Sequence, residues 1–195
     1  MITSITPSWT AGSASPALRP LPSRLRVPLG YLAAAALLAL ARPSARSLLL
    51  GLIPALAGAG IRLWAAGHIE KTRTLATGGP YAHTRNPLYF GSVLMALGLG
   101  AAAASPWCLA LLLVYLAAFY PAVMREEAAF LRSRFPAEYQ AWAAAVPVFV
   151  PRLAPGGPRA TRFSWARVRA NREWRALAGL FAALALLYLR SRWPS

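Results

Sequence analysis

Between Leu75 and Gly91 the chain reads LATGGPYAHTRNPLYFG, a Gly- and Pro-punctuated loop that stops where a long apolar run begins. Tyr81, His83, Arg85 and Asn86 set four hydrogen-bonding side chains at the mouth of that run. Thr77-Gly78-Gly79-Pro80 has the make-up of a turn, since Gly permits positive φ and Pro pre-sets the next bend. Pro87 is tolerated in the first helical turn, so a helix is predicted to start at Asn86 or Pro87. Such an aromatic and basic cluster is often only an interfacial anchor. A second group gives it more to do. Glu126 and Glu127 are adjacent acids that follow Arg125 at the end of 37 uncharged positions, Leu88 to Met124. Acids at the edge of a membrane interior are costly unless they are paired or used. Pairing with Arg125, Arg85 or an arginine one turn on is the ordinary outcome.

Other chemistries find little support. His68 and His83 with Glu70 are too few for a metal set; there is no HExxH, and the lone cysteine, Cys108, sits in an apolar run. No metal is expected. No Ser-centred elbow, P-loop or GxGxxG occurs, and Gly98-Leu99-Gly100 is read as helix packing.

The elements that must position the cluster are membrane helices. A soluble fold of 195 residues would struggle to bury 37 uncharged positions, whereas two spans joined tightly at Ser105–Pro106 account for them. The fold class is all-α, an integral membrane bundle of four to five transmembrane helices with a cytoplasmic amphipathic helix. Residues 1–26 read as a disordered lead-in and 27–66 as two spans; in the second of these Gly51, Gly58 and Gly60 suggest close packing and Arg62 snorkelling to the interface. Residues 67–152 carry the polar loop, the hairpin and an amphipathic helix over Arg125 to Trp142. Residues 153–175 form a basic interfacial segment suited to anionic headgroups, and 176–195 a C-terminal apolar helix that spans or lies at the interface.

The formal charge of +16, with five acidic residues, fits arginines flanking membrane spans better than a nucleic-acid partner. Gly67–Asn86 and Arg125–Arg175 are both basic, so both are expected in the cytoplasm, where they can build one site. A bacterial inner membrane is the expected location.

GGPYAHTRNPLYFG, followed after the charge-free hairpin by REEAAFLRSRFPAEYQAWAAAVPVFVP, resembles the isoprenylcysteine carboxyl methyltransferase and phospholipid methyltransferase group. The resemblance covers about His68 to Arg152. It implies an integral membrane enzyme that uses S-adenosylmethionine. Carried over residue by residue, its cofactor contacts fall on Arg73, Thr74, Leu75, Tyr81, Asn86, Pro87, Leu88, Tyr89 and Glu127, with His68 near another. The family's substrate-contacting arginine aligns near Val123, which leaves Arg125 as the nearest replacement for a catalytic role.

The physical chemistry agrees. S-adenosylmethionine carries a sulfonium, an ammonium, a carboxylate and a ribose diol. Glu127 could accept from the diol or amino group, Arg73 or Arg85 could hold the carboxylate, and amides of the Gly-Gly turn could add donors. Methyl transfer is an in-line displacement that asks the protein mainly to position reactants and exclude water. The acceptor is expected to be hydrophobic or lipid-like, a carboxylate, amine or thiol. A nicotinamide-dependent membrane reductase of the sterol-reductase type and a non-enzymatic membrane scaffold are the competing readings.

Overall fold

Helix breakers in the sequence set the element boundaries. The computed structural model describes residues 21–70, 73–157 and 161–193. Arg42-Pro43-Ser44 separates α1, Leu21–Leu40, from α2, Ala45–Ala66. Ser44 caps α2, its Oγ accepting from the Ser47 amide at 3.1 Å while the Ser47 hydroxyl accepts in return from the Ser44 amide. Prolines then open three successive helices, where their missing N–H is not needed: α3 is Pro87–Ala103, α4 is Pro106–Arg134 and α5 is Pro136–Ala145. A short 3-10 turn, Gly79–Ala82, precedes α3. Two further helices follow, α6 at Trp165–Ala170 and α7 at Trp174–Arg192. Asn86 is the residue before α3, as the sequence predicts. The lead-in over 1–26 lies outside the described residues up to position 20, and positions 21–26 belong to α1.

The amphipathic helix expected to begin at Arg125 does not begin there. Nothing between Met124 and Arg134 breaks the helix, so α4 runs 29 residues without interruption and carries the acidic pair on the extension beyond its apolar run. The break comes at Phe135–Pro136, and α5 supplies the buried faces of Tyr139 and Trp142. The 176–189 run is likewise longer than its apolar core, because α7 extends to both flanking arginines. By length and composition α2, α4 and α7 can each cross a membrane, and α3 is a shorter apolar helix of 17 residues.

The seam between α2 and α3 organises the bundle. A methyl group on Gly51 would land on the Gly98 carbonyl, and one on Gly58 on the Gly91 carbonyl. With Ala55 and Ala102 these glycines let two backbones meet directly, the means by which membrane helices gain packing where no hydrophobic drive separates them from lipid. Gly98 serves that seam and Gly100 faces Leu109 of α4, so both are packing residues. Leu180 of α7 packs into the same region against Ala55 and Ala59.

The chain's path puts the end of α2, the loop, the start of α3 and the end of α4 at one end of the bundle. The α1–α2 and α3–α4 turns sit at the other, where the Arg42 amide donates to the Ala103 carbonyl at 2.8 Å.

Candidate functional site

Residues 81–86 have few hydrogen bonds among themselves and borrow partners from two flanks. On one flank, Trp142 of α5 is fully buried and its Nε1 donates to the Tyr81 carbonyl at 2.8 Å. The Val-Pro-Val-Phe-Val-Pro segment then runs alongside as a splint. Thr84 Oγ1 donates to the Phe149 carbonyl, Asn86 Nδ2 to the Val148 carbonyl and the Arg85 amide to the Pro147 carbonyl, each at 2.8 Å. His83 Nδ1 donates to the Arg152 carbonyl, also at 2.8 Å.

The other flank is the C-terminal stretch around α6. Thr161 Oγ1 accepts from the Gly78 amide at 3.1 Å, and the Ser164 amide donates to the Gly67 carbonyl. Asn171 Nδ2 donates to the Ala66 and Ile69 carbonyls, and Arg167 pairs with Glu70 at 2.7 Å. Gly79 has φ +58° and lies against the buried His68 ring, so a side chain there would collide with the imidazole. His68 is itself wedged between Trp64 and Phe163, its Nδ1 2.9 Å from the Trp64 carbonyl.

Held from both sides, the loop presents Tyr81 to the ends of α3 and α4. There the Tyr89 hydroxyl donates to Glu127 Oε2 at 3.2 Å, linking the two helices of the hairpin, and the Tyr89 ring stands edge-on to Tyr120 at 5.0 Å. Burial first, and then the negative charges of Glu127 and the neighbouring groups, pushes the Tyr81 hydroxyl well above a tyrosine's usual value. It therefore stays a neutral donor and acceptor at physiological pH. Behind this group, Arg62 of α2 pairs with Glu173 at 2.5 Å and donates to Ser92 Oγ and the Leu88 carbonyl.

Of the residues singled out by sequence, Tyr81, Tyr89 and Glu127 converge. Leu75 lies in the core beneath them with Tyr139 and Trp142, and Pro87 is fully buried. Leu88 contributes its carbonyl to Arg62, while Asn86 turns its amide to Val148 and holds the splint. Arg73 and Thr74 are exposed, and Arg73 stands 3.5 Å from Glu70. Arg125 is exposed two residues from Glu127, a spacing that puts it on a different face of α4.

Three expectations change. Arg62 does not snorkel to the interface but is held by Glu173. The Gly78 amide is taken by Thr161, which removes it as a donor to a ligand. The basic 153–175 segment is partly docked on the loop through Arg167 and Asn171. The residues that sequence reasoning passes over are Glu173 and Thr161; Trp142 it places on an amphipathic helix without its bond to the Tyr81 carbonyl. Glu173 alone left a signal, as the one acid among the arginines after Glu138.

Two apolar hollows flank the Phe90–Phe149 contact. One, of about 540 Å³, is lined by Ile61, Trp64, His83, Phe90 and Val150 among others. The other, of about 310 Å³, lies between α3 and α4 against Leu116, Tyr120, Met124 and Phe149. Glu127 is seven positions from Tyr120 and three from Met124, so it stands on the face of α4 that lines this second hollow. Among the described residues the ion pairs are Arg62–Glu173, Arg73–Glu70 and Arg167–Glu70, and neither Glu126 nor Glu127 is in one. The Arg85 Nε is buried without a hydrogen-bond partner. No group of three or more His, Cys, Asp or Glu among the described residues could hold a metal ion.

Residues 53–138 match the phospholipid methyltransferase family, in line with the resemblance expected from the loop and the acidic pair. Over 95 residues, 48% of this chain, the sequence is 46% identical to the cobalt-zinc-cadmium resistance protein CzcN of Cupriavidus metallidurans. It is 41% identical, over the same length, to the nickel-cobalt-cadmium resistance protein NccN of Alcaligenes xylosoxydans xylosoxydans. The match spans 44% of each of these relatives, less than half their length. No solved structure matches.

Proposed function

From the match of residues 53–138 to the phospholipid methyltransferase family, we propose that this protein transfers a methyl group from S-adenosylmethionine to a hydrophobic or lipid-like acceptor. One observation carries the reading. In a chain of 21 basic and five acidic residues, Glu127 has a tyrosine hydroxyl as its partner and no cation among the described residues. An acid left unpaired in so basic a chain suits a ligand that brings its own positive charge, and the methyl donor has two cationic centres.

Glu127 would receive the donor's ammonium or ribose hydroxyls, with Tyr89 fixing the carboxylate's direction. Tyr81, neutral and buried, would close the wall beside it. Arg85, whose buried Nε has no hydrogen-bond partner, would hold the donor's carboxylate. His68, Leu75, Asn86 and Pro87 would act by holding the loop's shape rather than by touching the donor. Arg73 and Thr74, being exposed, would border its entrance. The sulfonium supplies the methyl group. The chain's residues supply orientation and shelter from water.

The hollow between α3 and α4 opens among lipid-facing residues and ends near Glu127, a route by which an apolar acceptor enters sideways. Arg125, exposed on the cytoplasmic extension of α4, would meet an acidic headgroup there. We place the site on the cytoplasmic face of a bacterial inner membrane, because both basic segments lie at that end of the bundle.

The test is transfer of label. Purified protein is incubated with methyl-labelled S-adenosylmethionine and a total membrane-lipid extract, and radioactivity is counted in the organic phase. Enzyme-dependent label there, abolished in Glu127→Ala, is the expected result. Label that stays aqueous with lipid, fatty-acid and alkyl-thiol acceptors alike would overturn the reading.

A further inference from the structure

The Arg62–Glu173 pair lies outside the loop motif, and Glu173 lies outside the matched residues 53–138 as well. A buried ion pair is weak evidence for stability, because desolvating both charges offsets much of their attraction. Its directional contacts say more. Glu173 precedes α7 and is 5% exposed. Its carboxylate holds Arg62 Nε, which aims the rest of the guanidinium at the first two turns of α3. There Nη1 donates to the Leu88 carbonyl at 3.2 Å and to Ser92 Oγ, and Ser92 Oγ donates to the same carbonyl at 2.9 Å. The Leu88 carbonyl belongs to the peptide unit that carries Tyr89. The glycine that ends the loop motif makes this possible, since a methyl group on Gly91 would meet Arg62 Cγ at 2.7 Å.

We propose that Arg62 and Glu173 are positioning residues for the site: together they grip the Leu88–Tyr89 peptide from behind and so point the Tyr89 hydroxyl at Glu127. The C-terminal stretch thereby completes the site, and the turn between α6 and α7 is its back wall. This rests on the methyl-donor reading only for its purpose. The positioning itself can be observed without any ligand.

The experiment labels the tyrosines of the full chain with 3-fluorotyrosine in detergent micelles and follows the Tyr89 fluorine resonance, assigned with Tyr89→Phe. Glu127→Gln marks where that resonance goes when its hydrogen bond is altered. Glu173→Leu and Arg62→Lys should each shift it by a comparable amount, the lysine because one ammonium cannot replace the forked contact to Leu88, Ser92 and Glu173 together. S-adenosylmethionine affinity, measured on the same samples, should fall about tenfold, the scale of coupling within one buried network. A Tyr89 resonance that stays in place in Arg62→Lys overturns the proposal, and this variant decides the matter if Glu173→Leu does not fold. If the resonance shifts while the unmodified protein binds no donor, the positioning stands and the donor reading falls.

Discussion

The two ends of the bundle are built from the same materials and differ in what they leave unfinished. At the end holding the α1–α2 and α3–α4 turns there is a hollow of about 440 Å³, lined by Arg42, Trp107 and Arg190 among others. Helices there also begin on Ser and Pro, and Arg42 stands at the rim. Yet the two serines there serve the fold: Ser44 and Ser47 cap each other, and the Ser47 hydroxyl reaches the Ala102 carbonyl. At the loop end, by contrast, Glu127 lacks a cation among the described residues and Arg85 Nε lacks an acceptor. Volume is therefore a poor guide to function in this molecule. Unspent hydrogen-bonding capacity, held in place by a fully satisfied frame, is a better one.

That contrast can be broken at the frame first. Trp142→Ala removes both a fully buried side chain and the donor to the Tyr81 carbonyl, and should cost about 3–5 kcal/mol. A fall in thermal midpoint with loss of donor binding would show it, while a nearly unchanged midpoint would mean the frame does not depend on α5. Glu127→Ala leaves the frame intact and should lower donor affinity by about 3 kcal/mol, roughly 100-fold, with little change in midpoint. Tyr89→Phe deletes one hydroxyl and should cost about 1 kcal/mol in affinity, several-fold in the dissociation constant.

The comparison is sharpened at the opposite end. Ser47→Ala should lower stability by about 1 kcal/mol through the lost cap and leave donor affinity untouched. An effect on binding there would show that the two ends are coupled. The smallest effect belongs to Arg125→Ala, whose exposed side chain sits on another face from Glu127: donor affinity should change less than about twofold. A larger loss would give Arg125 a part in holding the donor as well as the acceptor.

Much of this was legible in the residues. Uncharged runs bounded by prolines and serines announce α3 and α4, and small residues three to four apart announce the α2–α3 seam. The convergence of Tyr81, Tyr89 and Glu127 follows from a tight hairpin between the loop and the acids. What stayed hidden depends on contacts far apart in sequence. No local signal says that Thr161 will take the Gly78 amide, or that Arg62 will find Glu173 across 111 positions. The end of α4 was misplaced because a change from apolar to polar residues looks like a boundary, although helix geometry is indifferent to it. Pro136 was the real breaker.

The most direct measurement is a calorimetric titration of S-adenosylmethionine, S-adenosylhomocysteine and NADPH into the detergent-purified protein and its Glu127→Ala variant. Micromolar binding of the first two, lost in the variant and matched by no heat from NADPH, is the result this account predicts. Binding of NADPH alone, or donor binding that survives Glu127→Ala undiminished in a folded protein, would contradict it.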